Sequence, residues 1–319
     1  MALVFGCTNA KEIAEEFCRE YPEFKLGESE LEPFPDGETK HVLYTDPKGK
    51  NVVIIQTGLP NSLINLMEAS QAANAAKHFG AKTVTVVFTY LPYGRQDKYG
   101  FSNDKGLQPK TLHIALKMIK YSGADTLVVL DAHFADKFGK FSKCKMNIIN
   151  EPVGLEMVKH MNDFYQIPYN NMVLLAPDLG ARPRVKQVVD ELKKENIVVE
   201  MQTVKDKKRI DSENVEVKFY KDTNVEGKDV LILDDMICTG GTMIAVGKTL
   251  KKDWKAKSVH AVATHGIFAT KKHGLSDPTI LQKMRNGFDS CVVTNSIKTP
   301  VSEVTILPAL LRGIKEANK

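Results

Sequence analysis

The chain has 319 residues, 43% hydrophobic and 26% charged, with 44 basic against 39 acidic side chains and a net charge of +5. That length predicts two domains of roughly 100–200 residues each, and the composition excludes a disordered, collagenous or low-complexity chain. An excess of +5 suits anionic small molecules as well as nucleic acid and decides nothing alone. The opening Met1-Ala2-Leu3-Val4-Phe5-Gly6 lacks the basic start and long apolar stretch of a signal peptide. The apolar runs at 52–55 and 84–88 fall far short of the roughly 20 residues a membrane helix needs. Five cysteines with no CxxC pair read as reduced thiols of a cytoplasmic protein.

In chain order, an early helix leads to Phe34-Pro35-Asp36-Gly37-Glu38, a turn whose glycine supplies a positive φ. Strands are then predicted at 52–56, 83–90, 126–131, 172–177, 198–204, 230–235, 258–265 and 290–295. Amphipathic helices are predicted at 63–79, 107–121, 153–164 and 184–194. Alternating β and α elements imply mostly parallel sheets with helices on both faces. The domain boundary is expected around residues 147–152, giving domains 1–150 and 151–303, with a C-terminal helix within 304–319 packing back on the first.

The chain also repeats itself. Lys50-Asn51-Val52-Val53-Ile54-Ile55 reads like Lys228-Asp229-Val230-Leu231-Ile232-Leu233, and Ala81-Lys82-Thr83-Val84 like Ala256-Lys257-Ser258-Val259. Two copies of one α/β unit explain the near-constant offset. The copies differ where ligands of open α/β sheets bind, at the strand carboxyl end: the second has Asp234-Asp235 where the first has Gln56-Thr57.

The acidic pair opens Asp234-Asp235-Met236-Ile237-Cys238-Thr239-Gly240-Gly241-Thr242, with a helix beginning near Met243. Gly240 and Gly241 let backbone N–H groups approach an anion, Thr239 and Thr242 add hydroxyls, and the helix start adds its positive dipole end. That is a phosphate cradle, beside carboxylates that suit a sugar's hydroxyls. Other polar strand ends are Arg95-Gln96-Asp97-Lys98, Asp131-Ala132-His133 and Pro177-Asp178-Leu179-Gly180. Asp206-Lys207-Lys208-Arg209 is a basic segment after the fifth strand. Each alone is as readily a solvated turn or a cap.

The segment 230–242 resembles the phosphoribosyl-pyrophosphate (PRPP) motif of type I phosphoribosyltransferases and, more closely, of the ribose-phosphate pyrophosphokinase family. The resemblance implies two type I phosphoribosyltransferase-like domains and diphosphoryl transfer from ATP to ribose 5-phosphate. It places Asp234 and Asp235 on the ribose, and Cys238, Thr239, Gly240, Gly241 and Thr242 around the 5-phosphate. It gives Phe34, Asp36, Gly37 and Glu38 to the ATP of a neighbouring subunit, hence a homo-oligomer, and Arg95, Gln96, Asp97 and Lys98 to ATP binding. It implies Mg²⁺ at His133 and Asp178, and a mobile catalytic loop carrying Lys207 and Arg209, the latter also on ribose 5-phosphate. Nucleic acid and membranes are not implied. Cys238 stands where many members carry an acid, and Lys98 where many carry Arg, a pattern closer to archaeal-type members. The competing readings are a non-catalytic regulatory subunit of that kind and a phosphoribosyltransferase that consumes PRPP.

Overall fold

A computed structural model describes residues 2–102, 106–135, 137–209, 215–220, 223–270 and 272–319. The chain divides into two compact units, Met1–Glu151 with Leu307–Lys319, and Pro152–Ile306.

The first unit runs β1 (Ala2–Gly6), α1 (Lys11–Glu20), β2 (Phe24–Leu26), β3 (Ser29–Pro33), β4 (Thr39–Leu43), β5 (Asn51–Gln56), α2 (Ser62–His78), β6 (Thr83–Phe88), β7 (Gly100–Ser102), β8 (Gly106–Gln108), α3 (Thr111–Tyr121), β9 (Thr126–Leu130), β10 (Gly139–Lys143) and β11 (Met146–Glu151). Its main sheet has the order β10-β11-β9-β6-β5-β1-β2, parallel except for β10. Runs such as Val52–Ile55 are apolar at every position because both faces are covered. Leu3, Phe5, Val52, Ile54, Val84 and Val86 pack with α2 and α3.

The second unit runs α4 (Gly154–Asp163), β12 (Met172–Ala176), α5 (Arg182–Lys194), β13 (Glu200–Arg209), β14 (Val215–Phe219), β15 (Asp229–Ile237), α6 (Gly241–Lys252), β16 (Ser258–Gly266), α7 (Pro278–Gly287), β17 (Ser290–Thr294) and β18 (Ser302–Val304). Its sheet has the order β14-β13-β12-β15-β16-β17-β18, parallel except for β14. Alternate residues of β15 separate its two cores: Val230 and Ile232 join α6 and α7, whereas Leu231 and Leu233 join α4 and α5. The chain then returns to the first unit as α8 (Leu307–Ala317), which packs on β9 and β11. A Cβ on Gly313 would stand 2.6 Å from Val128 of β9, so only glycine permits that approach.

The two sheets share one plan. The neighbours of β5 are β1 and β6, and those of β15 are β12 and β16; β9 and β17 follow outward in turn. Asn51 pairs with Thr83 in the first unit, and Asp229 with Ser258 in the second, the positions the internal repeat aligns.

The division between the two units falls between Glu151 and Pro152, at the end of β11, which pairs with β9 up to Glu151. Two local expectations are corrected. The helix expected over 107–121 starts only at Thr111, because Gly106–Gln108 pairs with Gly100–Ser102 as a small hairpin. The basic segment 206–209 is extended strand rather than loop: Lys207 pairs with Val217, Lys208 with Glu216 and Arg209 with Val215. Its polar continuation, 210–214, lies outside the described residues.

Candidate active site

In the second unit β15 delivers Asp234 and Asp235 to the carboxyl edge of the sheet, and α6 starts after the turn Cys238-Thr239-Gly240. Gly240 has φ +71°, and a Cβ there would meet the Met284 sulfur of α7 at 2.7 Å, so the turn needs glycine at this position. Thr239, Gly241 and Thr242 are exposed, and no side chain caps the helix start. Its first N–H groups therefore face outward with the positive end of the helix dipole, a place for an anion. The Ala269 N–H donates to the Cys238 carbonyl at 3.0 Å and fixes the turn from the strand side. The Cys238 thiol is half-buried, 4.0 Å from the Ala269 carbonyl oxygen.

Asp234 Oδ1 accepts the Asp235 N–H at 2.9 Å and lies 3.9 Å from the Arg184 guanidinium of α5. Burial first, then the neighbouring Asp235, pushes the Asp234 carboxyl well above the usual carboxylate range; Arg184 opposes this and Asp178 adds to it. Asp178 follows β12, which pairs directly with β15, and it accepts the Ala181 N–H at 2.9 Å ahead of α5. Three carboxylates thus share one strand-end edge. Strand β13 reaches the same edge, because Ala176 at the end of β12 pairs with Thr203 while residues 204–209 run on beyond it. The register shift between Val204 and Asp206 re-aims that extension. His265, at the end of β16, is buried with Nδ1 2.8 Å from Ser296 Oγ, so it braces the strand end.

In the first unit the matching strand end is spent on structure. Gln56 accepts the Thr57 N–H at 2.9 Å, as Asp234 does for Asp235, but its amide donates to Glu68 of α2 and it is fully buried. The adjacent parallel strands β6 and β9 bring two other predicted segments to one edge. After β6, Tyr93 at φ +62° turns the chain into exposed Arg95, Gln96 and Lys98 and half-buried Asp97, with Gln96 held by the Thr111 hydroxyl at 2.7 Å. After β9, Asp131 is buried and His133 is exposed. The turn at Phe34 lies elsewhere, at the tip of the separate β3–β4 hairpin, which α2 supports. Gly37 has φ +90°, Asp36 accepts the Glu38 N–H at 3.0 Å, and Lys40 lies 5.7 Å over the Phe34 ring. Sequence reasoning missed Arg184 as a site residue; its sole signal is an arginine on the first turn of a helix that follows an acidic strand end.

Two α/β units of one plan, the second carrying an acidic pair, a glycine turn and an open helix N-terminus, define phosphoribosyltransferase-type domains. The model of the N-terminal domain of ribose phosphate pyrophosphokinase matches residues 2–123, and that of the phosphoribosyl transferase domain matches residues 156–291. The chain is 31% identical over 309 residues to the ribose-phosphate pyrophosphokinase of Pyrococcus furiosus, covering 97% of this chain and 99% of that one. It is 30% identical to that of Mycoplasma genitalium over 298 residues, 92% and 82% of the two chains. A crystal structure of phosphoribosylpyrophosphate synthetase from Mycobacterium smegmatis shares the fold, with TM-score 0.75 and 23% identity over 99% of this chain and 98% of that one. The chain belongs to the ribose-phosphate pyrophosphokinase family. Among the described residues no helix is long and apolar enough to cross a membrane.

Proposed function

We propose that the chain transfers the β,γ-diphosphoryl group of ATP to ribose 5-phosphate, giving PRPP and AMP. One observation carries this reading: a synthetase-type N-terminal domain precedes the phosphoribosyl transferase domain in one chain. A transferase would need only the second. The 1-hydroxyl oxygen attacks the β-phosphorus, the bond from that phosphorus to the α–β bridging oxygen breaks, the oxygen leaves on AMP, and the hydroxyl proton passes to solvent. Two anions must meet, so positioning and charge neutralisation supply most of the catalysis.

In this reading the turn Cys238–Thr242 binds the 5-phosphate through backbone N–H groups and the Thr239 and Thr242 hydroxyls. Asp234 and Asp235 accept hydrogen bonds from the ribose hydroxyls, with Arg184 holding Asp234 in place. Arg95, Gln96, Asp97 and Lys98 bind ATP, and Phe34, Asp36, Gly37 and Glu38 reach the ATP of a second copy, which makes the active form a homo-oligomer. Lys207 and Arg209 stabilise charge on the transferring group, and Arg209 also meets ribose 5-phosphate. The donor chemistry suits a hard divalent ion: carboxylates crowd the second unit's edge, and one cation, Arg184, faces Asp234 there. Following the family resemblance, Asp178 of the second unit and His133 of the first would each be offered to Mg²⁺, which when bound neutralises polyphosphate charge. The cytoplasm, where ATP and ribose phosphates occur, is the proposed location. The test is a coupled assay for AMP, with and without ribose 5-phosphate. AMP formation that depends on ribose 5-phosphate supports the reading; PRPP consumption with a free base, or no turnover by folded protein, refutes it.

A further inference from the structure

Away from these strand ends, three elements of the first unit bring unlike donor groups together. Cys7 directly follows β1, His41 lies in β4 and Glu68 in α2. The Cys7 sulfur, a His41 ring nitrogen and a Glu68 carboxylate oxygen all lie within 4.8 Å of one another, the one such group of three among the described residues. All three are buried, at 0%, 7% and 1% exposure.

His41 is the anomaly. Its side chain is 1% exposed, yet neither ring nitrogen makes a hydrogen bond. A buried polar group left in that state is costly unless something else satisfies it. Nδ1 stands 3.3 Å from Glu68 Oε1, an ion pair when the ring is protonated. Glu68 is held in place as a ligating carboxylate is: Oε1 accepts the Thr8 N–H and hydroxyl at 2.8 Å each, and Oε2 accepts the Gln56 amide at 2.7 Å. With a single donor, Oε2 keeps a lone pair for a cation. His41 also lines a cavity of about 550 Å³ beside Ser70, Gln71 and Asn74. Lys40 at its wall is paired with Glu32 at 2.8 Å.

We propose that Cys7, His41 and Glu68 form a structural metal site for a borderline ion such as zinc, stapling the end of β1, the β3–β4 hairpin and α2 together. Sulfur, nitrogen and oxygen donors together favour such an ion over Mg²⁺, which prefers an all-oxygen shell. Burial and the Glu68 charge keep the Cys7 thiol protonated while the site is metal-free. On binding, the S–H bond breaks, the proton leaves to solvent and the thiolate takes the metal. The hairpin that carries Phe34 to Glu38 at its tip would thereby be fixed to the sheet and to α2 at once.

The experiment uses the full chain, stripped with a chelator, dialysed, and titrated with Co²⁺ as probe before displacement by Zn²⁺. We expect saturation at one equivalent, a thiolate-to-cobalt charge-transfer band in the near ultraviolet and intense tetrahedral ligand-field bands in the visible. Cys7→Ser should lose the charge-transfer band, and His41→Ala the tetrahedral bands. Asp178→Asn combined with Asp234→Asn should retain both, which separates this site from the Mg²⁺ site proposed above. An octahedral cobalt spectrum without a thiolate band overturns the proposal. So does a thiolate band that survives Cys7→Ser. The titration of the unaltered chain decides the matter even if a variant fails to fold.

Discussion

The Arg184 guanidinium stands 3.9 Å from Asp234 Oδ1, and the two side chains are only 10% and 22% exposed. The pair joins the first turn of α5 to the last residues of β15. It sets a cation against Asp234 at an edge that also carries Asp235 and Asp178.

Replacing both Asp234 and Asp235 by Asn should raise the KM for ribose 5-phosphate far more than that for ATP. Hydrogen bonds from a sugar to charged groups are worth roughly 1.5–3 kcal/mol each, so the double variant should lose a factor of a hundred or more. Steady-state kinetics with each substrate varied in turn checks this; an unchanged KM for ribose 5-phosphate removes the assignment.

Lys207→Ala and Arg209→Ala should each lower kcat by about 10²–10³, equivalent to about 2.7–4 kcal/mol, with small changes in either KM. Lys208→Ala is the register control and should do much less. If Lys208→Ala is the crippled variant, the assigned register is off by one residue; if none loses kcat, the strand extension is not catalytic.

In the proposed reading Cys238 serves the phosphate turn by position and not as a nucleophile. Cys238→Ser should keep most activity, whereas a bulky thiol reagent should abolish ribose 5-phosphate binding. Burial pushes the Cys18 thiol up to about 11 and the Cys291 thiol to about 12, so at pH 8 these react slowly. Peptide mapping of the labelled protein, alongside a binding measurement, tests both halves of the expectation.

Asp277 caps α7, whose Met284 packs against Gly240 of the turn proposed to bind the 5-phosphate. Hydrogen bonds from the Thr270 hydroxyl and from Thr279, through its N–H and its hydroxyl, hold the Asp277 carboxyl far below the usual carboxylate range. A depressed carboxylate stabilises the fold fully above its unfolded value, about pH 4, and that contribution is lost as pH falls toward the folded value. Asp277→Asn should therefore be less stable than the parent chain at pH 7, with the gap narrowing below pH 4. Urea unfolding at both pH values measures it, and a gap independent of pH contradicts it.

The parallel strands and their helices were legible because β-branched runs such as Val52–Ile55 are buried on both faces and carry one continuous signal. The β3–β4 hairpin was not. Ser29-Glu30-Leu31-Glu32 and Thr39-Lys40-His41-Val42 alternate charge with isolated apolar residues, and they pair only through tertiary support from α2. The length of β13 was hidden for the same reason: Asp206 to Arg209 is too polar to announce a strand, and its pairing with β14 decides the matter. In the site, the turn at Gly240 showed itself through glycines that the backbone requires. Arg184 did not, because its contact with Asp234 is made across the gap between two elements.

Because α8 closes the face of β9 only after the whole second unit has been laid down, the first unit is interrupted in the chain by the second. On the ribosome every strand of the first sheet emerges early, yet Val128 waits for Gly313, and Glu151 and Glu23 for Arg312 and Lys315 at 3.2 and 3.3 Å. A nascent chain therefore carries a bare apolar strand face throughout synthesis of the second unit, the kind of surface that chaperones hold and that aggregates form on. A message truncated just before codon 307 would yield a finished second unit attached to an unfinished first one, although every residue of both sheets had been made.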